Sequence, residues 1–174
     1  MGLFYAMPRN RYPSAARIAP YARLALLLLA CLGLFGCGKS VVDGGPAHRG
    51  RISGSAVVAT ARSQLGVPYK YGGVSPKTGF DCSGLIYWSY GQYGFRVPRQ
   101  AGEQAGAGKA VKKSQLRQGD ILVFRISARS GIHTALYSGN GNFIHSPSTG
   151  KKIREDNMND EYWKRRYVSA RRVL

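Results

Sequence analysis

After residue 50 the chain holds one cysteine, Cys82, in a segment whose residue types suit covalent catalysis. In Phe-Asp-Cys-Ser-Gly-Leu, Asp81 is placed to cap a helix that begins at Cys82 by accepting a hydrogen bond from the amide of Gly84. The free amides and the dipole of a helix N-terminus favour a thiolate and can bind an oxyanion, so we expect the pKa of Cys82 to lie below the usual value of ~8.5. Cys82 is therefore the candidate nucleophile.

A nucleophilic thiol needs a base, and His133 and His145 are the histidines in the same part of the chain. The segment 139–141, Gly-Asn-Gly, predicts a hairpin turn between them. A two-residue turn would direct the two histidines to opposite faces, whereas a three-residue loop, or a bulge, places both on one face and gives Gly141 a positive φ. On one face, His145 can accept the proton of the second ring nitrogen of His133 and hold its tautomer, which predicts a Cys-His-His site.

The elements that must position these residues follow from hydrophobic periodicity. Helical spacing begins after Ser55 and stops at Gly66, and a second helix from Cys82 ends in the glycines of 91–94. Short runs with β-branched or aromatic residues then predict strands at 121–126, 133–137, 142–146 and 167–174. Helices followed by strands predict an α+β domain in which the helices pack on one face of an antiparallel sheet.

The first 36 residues predict a bacterial lipoprotein signal peptide. An Arg-bearing stretch leads to an apolar run of about a dozen residues, too short to span a bilayer, and Leu34-Phe35-Gly36-Cys37 resembles a lipobox. Cys37 is therefore the predicted lipidation site, with Cys31 as an alternative cleavage point. Residues 37–55 have the Gly-rich polar composition of a flexible tether, and 56–174 form one predicted domain.

Removal of that peptide leaves a strongly basic chain. The sequence has 26 Lys and Arg and 8 Asp and Glu; four of the basic residues and none of the acidic ones precede Cys37, so the mature chain carries 22 − 8 = +14. Such charge favours anionic surfaces, including lipid head groups and the carboxylates of peptidoglycan, and no nucleic-acid recognition motif accompanies it. The segments KKIRED (151–156) and WKRR (163–166) are interpreted as solvated, lipid-facing or wall-facing charge rather than as catalytic segments.

Several motifs together resemble the NlpC family of cell-wall peptidases. FDCSGL (80–85) is preceded by PYKYGG and followed by VPRQAGEQ, LRQGDILVF, IHTALYSGNGNFIHSP and ARRV, in the family order and spacing from about Ala56 to the end. The resemblance implies a circularly permuted, papain-like α+β fold and hydrolysis of short peptidoglycan peptides, commonly between D-glutamate and a diamino acid. It matches Cys82 to the nucleophile, His133 to the general base and His145 to the third polar residue.

The resemblance also implies a set of substrate-binding residues. Tyr69, in PYKYGG, matches a tyrosine whose hydroxyl reaches the nucleophile or the oxyanion site. Asp81 and Ser83 match positions that line the pocket for the free amine of the substrate, and Arg99 falls in a Pro-Arg motif near the cleft.

The same residues are compatible with other functions. The same fold could serve a catalytically silent wall-binding lipoprotein, and the same residues could serve an amidase or acyltransferase with another substrate. Cys, His and Asp could bind zinc, but close pairs such as C-x-x-C are missing, so neither a metal nor another cofactor is predicted. We expect a monomer in the periplasm, anchored to the outer membrane because Gly38 follows Cys37, although Lys39-Ser40 leaves the inner membrane possible.

Overall fold

The structure of the protein is a computed structural model that describes residues 52–127 and 131–174. The predicted signal peptide, its lipidation site Cys37 and most of the predicted tether lie outside these residues. Within the two described ranges, no helix is long and apolar enough to cross a membrane.

The helices in these ranges are short. They are α1 (Gly54–Arg62), α2 (Cys82–Gly91), α3 (Ala101–Gln104) and α4 (Glu161–Lys164), with a 3-10 turn at Lys113–Gln115. The side chain of Ser53 caps α1 by accepting a hydrogen bond from the amide of Ala56. The helix ends at Arg62 rather than near Gly66, and Leu65 is exposed. The second helix begins at Cys82, as predicted.

The strands form a small ribbon and one large sheet. They are β1 (Val74–Ser75), β2 (Gly79–Phe80), β3 (Lys109–Val111), β4 (Ile121–Ser127), β5 (Gly131–Gly139), β6 (Asn142–His145), β7 (Arg154–Asn157) and β8 (Tyr167–Arg172). The sheet is antiparallel in the order β3-β8-β4-β5-β6-β7. The four predicted strands are all present, whereas β1, β2, β3 and β7 were not predicted, and β7 lies partly in the KKIRED segment.

Both faces of the sheet are covered by apolar groups. The inner core joins α1 and α2 to alternate strand residues such as Ile121, Leu136 and Ile144. The intervening strand residues pack in an outer core with Met158 and Trp163; they include Leu122, Phe124, Ala135 and Phe143. The prediction that the helices cover one face is therefore correct for α1 and α2. The other face is buried because the run Ile-Leu-Val-Phe in β4 is apolar at every position.

The hairpin between β5 and β6 determines which way the histidines face. Gly139 pairs with Asn142 across a two-residue turn in which Asn140 and Gly141 have φ values of 54° and 81°. The three-residue loop is therefore wrong. A β-bulge, seen as a register shift between Tyr137 and Gly139, adjoins this turn. Beyond the bulge Tyr137 pairs with Phe143, which is the expected register that puts both histidines on one face. The bulge and the positive φ of Gly141 agree with the prediction.

Candidate active site

The N-terminus of α2 is held by close backbone packing. Asp81 caps the helix as predicted, since its Oδ1 accepts a hydrogen bond from the amide of Gly84 at 2.6 Å. A Cβ at Gly84 would overlap the carbonyl oxygen of Gly73, and that loop glycine also contacts the helix through a hydrogen bond from the amide of Asp81. Gly84 of DCSG is thus needed where the loop and the first helical turn touch, whereas a Cβ at Gly73 would overlap the carbonyl oxygen of Gly79 instead. This contact sets the position of Cys82.

A second link ties the start of α2 to β5. The buried side chain of Gln104, at the end of α3, donates hydrogen bonds to the carbonyl oxygens of Ser83 at 3.0 Å and Pro98 at 2.8 Å. Its Oε1 accepts a hydrogen bond from the hydroxyl of Thr134 at 2.8 Å. Because Thr134 directly follows His133, Gln104 connects the helix that carries Cys82 to the strand that carries the candidate base.

The environment of Cys82 favours the neutral thiol when no substrate is bound. Burial raises the pKa of Cys82 above its usual value, and the neighbouring carboxylate of Asp81 acts in the same direction. Hydrogen bonds from Thr134 and from the Ser83 backbone lower the pKa but do not outweigh burial. The expected depression of the pKa is therefore wrong, because the partial burial of the thiol outweighs the hydrogen bonds that it accepts. A thiol in this environment needs a base to become a nucleophile.

His133 and His145 contact each other on the outer face of the sheet. Nε2 of His133 lies 2.9 Å from Nδ1 of His145, and both side chains are buried. On the other side of His145, its Nε2 lies 3.1 Å from Oδ2 of Asp156, which belongs to β7. The three side chains form a continuous hydrogen-bonded chain that runs from β5 through β6 to β7.

The protonation states in this hydrogen-bonded chain follow from the carboxylate of Asp156 at its end. Burial would raise the pKa of Asp156, but hydrogen bonds with His145 and Arg154 lower it to about 2, so Asp156 is a carboxylate. It can only accept, so Nε2 of His145 donates to it. In a neutral His145 the Nδ1 atom then accepts from Nε2–H of His133. This leaves Nδ1 of His133 with a free lone pair, the form that a general base requires.

Burial keeps both imidazoles neutral. It lowers the pKa of His133 to about 3, with the neighbouring His145 acting in the same direction. It also lowers the pKa of His145, and the opposing effect of Asp156 is smaller. Near neutral pH, His133 is therefore unprotonated and able to accept a proton.

One cavity of about 830 Å³ gathers the predicted site residues. Its lining contains Tyr69, Asp81, Cys82, Ser83, Arg99 and His133, while His145 lies behind His133 and is fully buried. Arg99 binds the carboxylate of Asp81 through two nitrogens, NH1 at 3.0 Å and NH2 at 2.6 Å. Arg99 also donates to the hydroxyl of Ser83 at 3.1 Å. The carboxylate of Asp81 is thus already paired and faces the cavity together with a guanidinium.

A model of the NlpC/P60 family matches residues 66–172, which include every one of these cavity residues. The chain belongs to the NlpC/P60 family. Its fold agrees with that assignment: an NlpC/P60 family protein from Bacillus cereus ATCC 10987 superposes with a TM-score of 0.66 at 34% identity, over 71% of this chain and 41% of that protein.

Three curated relatives carry related names. Murein DD-endopeptidase MepH of Escherichia coli K12 is 42% identical over 134 residues, covering 74% of this chain and 49% of its own length. Gamma-D-glutamyl-L-lysine dipeptidyl-peptidase of Bacillus subtilis 168 is 36% identical, covering 76% and 45%. Probable endopeptidase NlpC of Escherichia coli K12 is 33% identical, covering 87% and 99%. The chain thus spans about half the length of the first two relatives.

The NlpC/P60 site contains residues that the sequence interpretation missed. Trp163 stacks on His133 with ring centroids 5.9 Å apart, and its indole nitrogen donates to Oδ2 of Asp156 at 3.0 Å. The interpretation of KKIRED and WKRR as solvated charge is therefore wrong for Asp156 and Trp163, because β7 and α4 bring these two residues against the histidines. An aromatic residue between charged ones in WKRR was the available signal, since a tryptophan is seldom left in solvent. Among the described residues, no three His, Cys, Asp or Glu side chains group as metal ligands.

Proposed function

We propose that the protein is a cysteine peptidase that hydrolyses short peptides of peptidoglycan, with Cys82 as nucleophile, His133 as general base and His145 as the residue that orients His133. The observation that carries the proposal is the shared cavity: Cys82 and an unprotonated His133 line the same pocket, and the hydrogen-bonded chain behind His133 leaves its Nδ1 free. The names of the three relatives described above, each a peptidase or endopeptidase, support the substrate class.

The reaction follows from these positions. His133 takes the proton of the Cys82 thiol while the sulfur attacks the carbonyl carbon of the scissile bond, and the resulting oxyanion is stabilised by amides at the start of α2, with the hydroxyl of Tyr69 nearby. The protonated His133 then gives its proton to the leaving amine as the C–N bond breaks. A water molecule, deprotonated by His133, attacks the thioester and releases the carboxylic acid product, which restores the thiol.

For the bond, we favour the one between D-glutamate and a diamino acid. A substrate that carries L-alanine before D-glutamate offers a free amine to the Asp81 carboxylate and a side-chain carboxyl as the acyl group. In this pairing Tyr69, Asp81, Ser83 and Arg99 bind the acyl half of the peptide. The D-alanyl bond of peptide cross-links is the second candidate, since a relative bears the name of a DD-endopeptidase.

The test is digestion of purified wall peptides, with mass spectrometry of the new amine and carboxyl ends. The wild-type protein should release a D-glutamyl carboxyl end, and Cys82→Ala should release none while keeping the same circular dichroism. A new D-alanyl carboxyl end would support the peptidase activity but show that the cleaved bond is the D-alanyl bond of the cross-link. Equal cleavage by Cys82→Ala would remove Cys82 as the nucleophile, and activity confined to other amides or esters would favour an amidase or acyltransferase.

We also propose that the protein is a lipoprotein of the periplasm, anchored through Cys37 and oriented toward the wall. The lipobox-like sequence before Cys37 supports this. The mature protein should begin at Cys37 and carry acyl chains, and Cys37→Ala should remove them. Cys31→Ala is the matched control, because the same substitution at the alternative cysteine should leave lipidation unchanged. Lipid on an N-terminal Cys31, or an unacylated mature protein, would contradict the proposal.

A further inference from the structure

The chain enters the domain beside a group of basic side chains. Gly54, the first residue of α1, packs closely on the backbone of Gln118 and Gly119, since a Cβ at Gly54 would overlap the carbonyl oxygen of Gln118. Gly54 also lines a small cavity of about 180 Å³ together with Arg117 and Arg172. The predicted tether therefore meets the domain next to the segment that leads into β4.

That segment is basic and contains no acidic residue. Between residues 105 and 119 the sequence has neither Asp nor Glu but four basic residues, which we call the basic face: Lys109, Lys112, Lys113 and Arg117. All four are exposed, and none forms an ion pair with another residue of the described ranges. Lys109 pairs with Arg172 across β3 and β8, so the basic face adjoins the cavity that Gly54 lines.

The carboxylate that follows this segment is already bound. Asp120 is buried, and it accepts hydrogen bonds from Arg172 through Nε at 2.8 Å and NH2 at 2.7 Å. It also accepts one from the amide of Arg117 at 2.8 Å. The carboxylate therefore offsets the charge of Arg172, and the basic face keeps its positive charge toward solvent, where it attracts anionic partners.

The helix α2 relates this face to Cys82. Its C-terminal part lies near the point where the tether enters, because the hydroxyl of Tyr90 donates a hydrogen bond to the carbonyl oxygen of Gly119 at 2.5 Å. Cys82 begins the same helix, and the rise of 1.5 Å per residue puts it ~12 Å from Tyr90 along the axis. No residue of the basic face lines the cavity that contains Cys82. A partner on the basic face would leave that cavity open.

We propose that the basic face docks on anionic phospholipid head groups of the membrane that holds the protein. The inference rests on the proposed lipidation of Cys37 and makes the membrane contact more specific. From Cys37 to Ile52 there are 52 − 36 = 16 residues, which span at most ~58 Å even when fully extended. An anchor on so short a connection keeps the lipid surface at a high effective concentration beside the face that adjoins the tether. Docking there directs the Cys82 end of α2 away from the membrane.

The test places the purified mature protein on two kinds of vesicle. One contains phosphatidylethanolamine and phosphatidylcholine, and the other contains in addition about one-third phosphatidylglycerol, which is anionic. Acetylation of Lys109, Lys112 and Lys113, measured by mass spectrometry, should be slower by about threefold or more on the anionic vesicles. Raising the ionic strength from ~0.1 M to ~1 M should remove the difference, because the screening length falls from ~10 Å to ~3 Å.

Three other lysines are the matched control: Lys70, Lys77 and Lys152. All are exposed, and none forms an ion pair within the two described ranges. Lys152 lies just before β7, at the opposite edge of the sheet from β3. The end of α1 is also at that far edge, since Arg62 binds Glu155 of β7. Acetylation of the control lysines should be equal on both kinds of vesicle.

Hydrogen exchange of the backbone at 105–117 extends the test to variants. Exchange should be slower on anionic than on zwitterionic vesicles in the wild-type protein. The triple variant Lys109→Gln, Lys112→Gln, Lys113→Gln should lose this difference. The triple variant Lys70→Gln, Lys77→Gln, Lys152→Gln removes the same charge and should keep it.

The proposal is overturned if the control lysines are protected as strongly as the basic face, or if anionic vesicles protect neither set. It is also overturned if purified peptidoglycan protects the basic face and anionic vesicles do not. The intact mass of the same sample reports the acyl chains on Cys37. Protection without acyl chains would support the docking face and contradict the proposed lipidation, whereas acyl chains without protection would do the reverse.

Discussion

At the level of single residues, the site combines a thiol whose pKa is raised with an imidazole whose pKa is lowered. Both groups are neutral at rest, so in the proposed mechanism the thiol proton must move to His133 when the sulfur attacks. His133→Asn removes the proposed proton acceptor, and we expect kcat to fall by ~10²–10⁴-fold, the usual contribution of a general base. His145→Asn keeps a neutral acceptor for His133 and should lose a smaller part of kcat.

The measurement is kcat for the two variants on the same wall peptide, together with KM, which should change little because neither residue is assigned to ground-state binding. Circular dichroism shows whether each variant is folded. A His133→Asn variant with a nearly normal kcat would refute His133 as the base. A loss for His145→Asn as large as that for His133→Asn would mean that His145 does more than orient its neighbour.

At the level of elements, the proposed catalysis requires that α2 packs closely against the loop before it, which positions Cys82. Gly84→Ala places a methyl group against the carbonyl oxygen of Gly73, so the first turn of α2 must move and take Cys82 with it. We expect kcat to fall at least tenfold, since misplacement by about 1 Å can cost ~10²-fold. Gly91→Ala is the control: it lies in the same helix, is exposed, and has no atom within contact distance of the added methyl.

Because alanine is the better helix former, Gly91→Ala should be neutral or stabilise the protein by up to ~1 kcal/mol, with kcat unchanged. Both variants are compared by kcat and by the free energy of unfolding in urea. If Gly84→Ala retained full kcat, the close contact between Gly73 and α2 would not set the position of Cys82.

At the level of the whole molecule, the outer core couples the site to acid stability. Folding lowers the pKa of His133 from 6.5 to about 3, lowers that of Asp156 from 3.8 to about 2, and lowers that of His145. The unfolded chain therefore binds protons on these groups at a higher pH than the folded chain does, and acid favours unfolding. The contribution of His133 to the free energy of unfolding is complete above pH 6.5 and is lost progressively as the pH falls toward about 3. The contribution of Asp156 is lost in turn as the pH falls below 3.8.

Urea unfolding at a series of pH values measures this coupling. Each buried histidine should reduce the free energy of unfolding by at most about 1.4 kcal/mol for each pH unit below its unfolded pKa. His133→Asn should therefore give a shallower dependence between ~pH 6 and ~pH 4, whatever its stability at neutral pH. An unchanged slope would show that His133 is not held neutral by the fold.

Local patterns in the sequence were sufficient to predict much of the fold and the shared face of the two histidines. The helix that begins at Cys82 follows from the cap of Asp81 and the small residues after it, and the four predicted strands follow from β-branched and aromatic runs between turn residues. The shared face of His133 and His145 also follows from local information, because strand side chains alternate and the pairing register depends on a turn within one hairpin. These features depend on interactions between residues that are close to one another in the sequence.

The tertiary structure decided the rest, because those contacts depend on strand pairing and packing that no local pattern specifies. Asp156 reaches His145 only because β7 pairs with β6, and a charged segment on an edge strand has no periodicity that predicts this. Gln104 lies on a helix of four residues, too short for a pattern. The pKa of Cys82 was misjudged for the same reason: the helix N-terminus is a local property that lowers it, whereas burial depends on the packing of the whole domain and raises it.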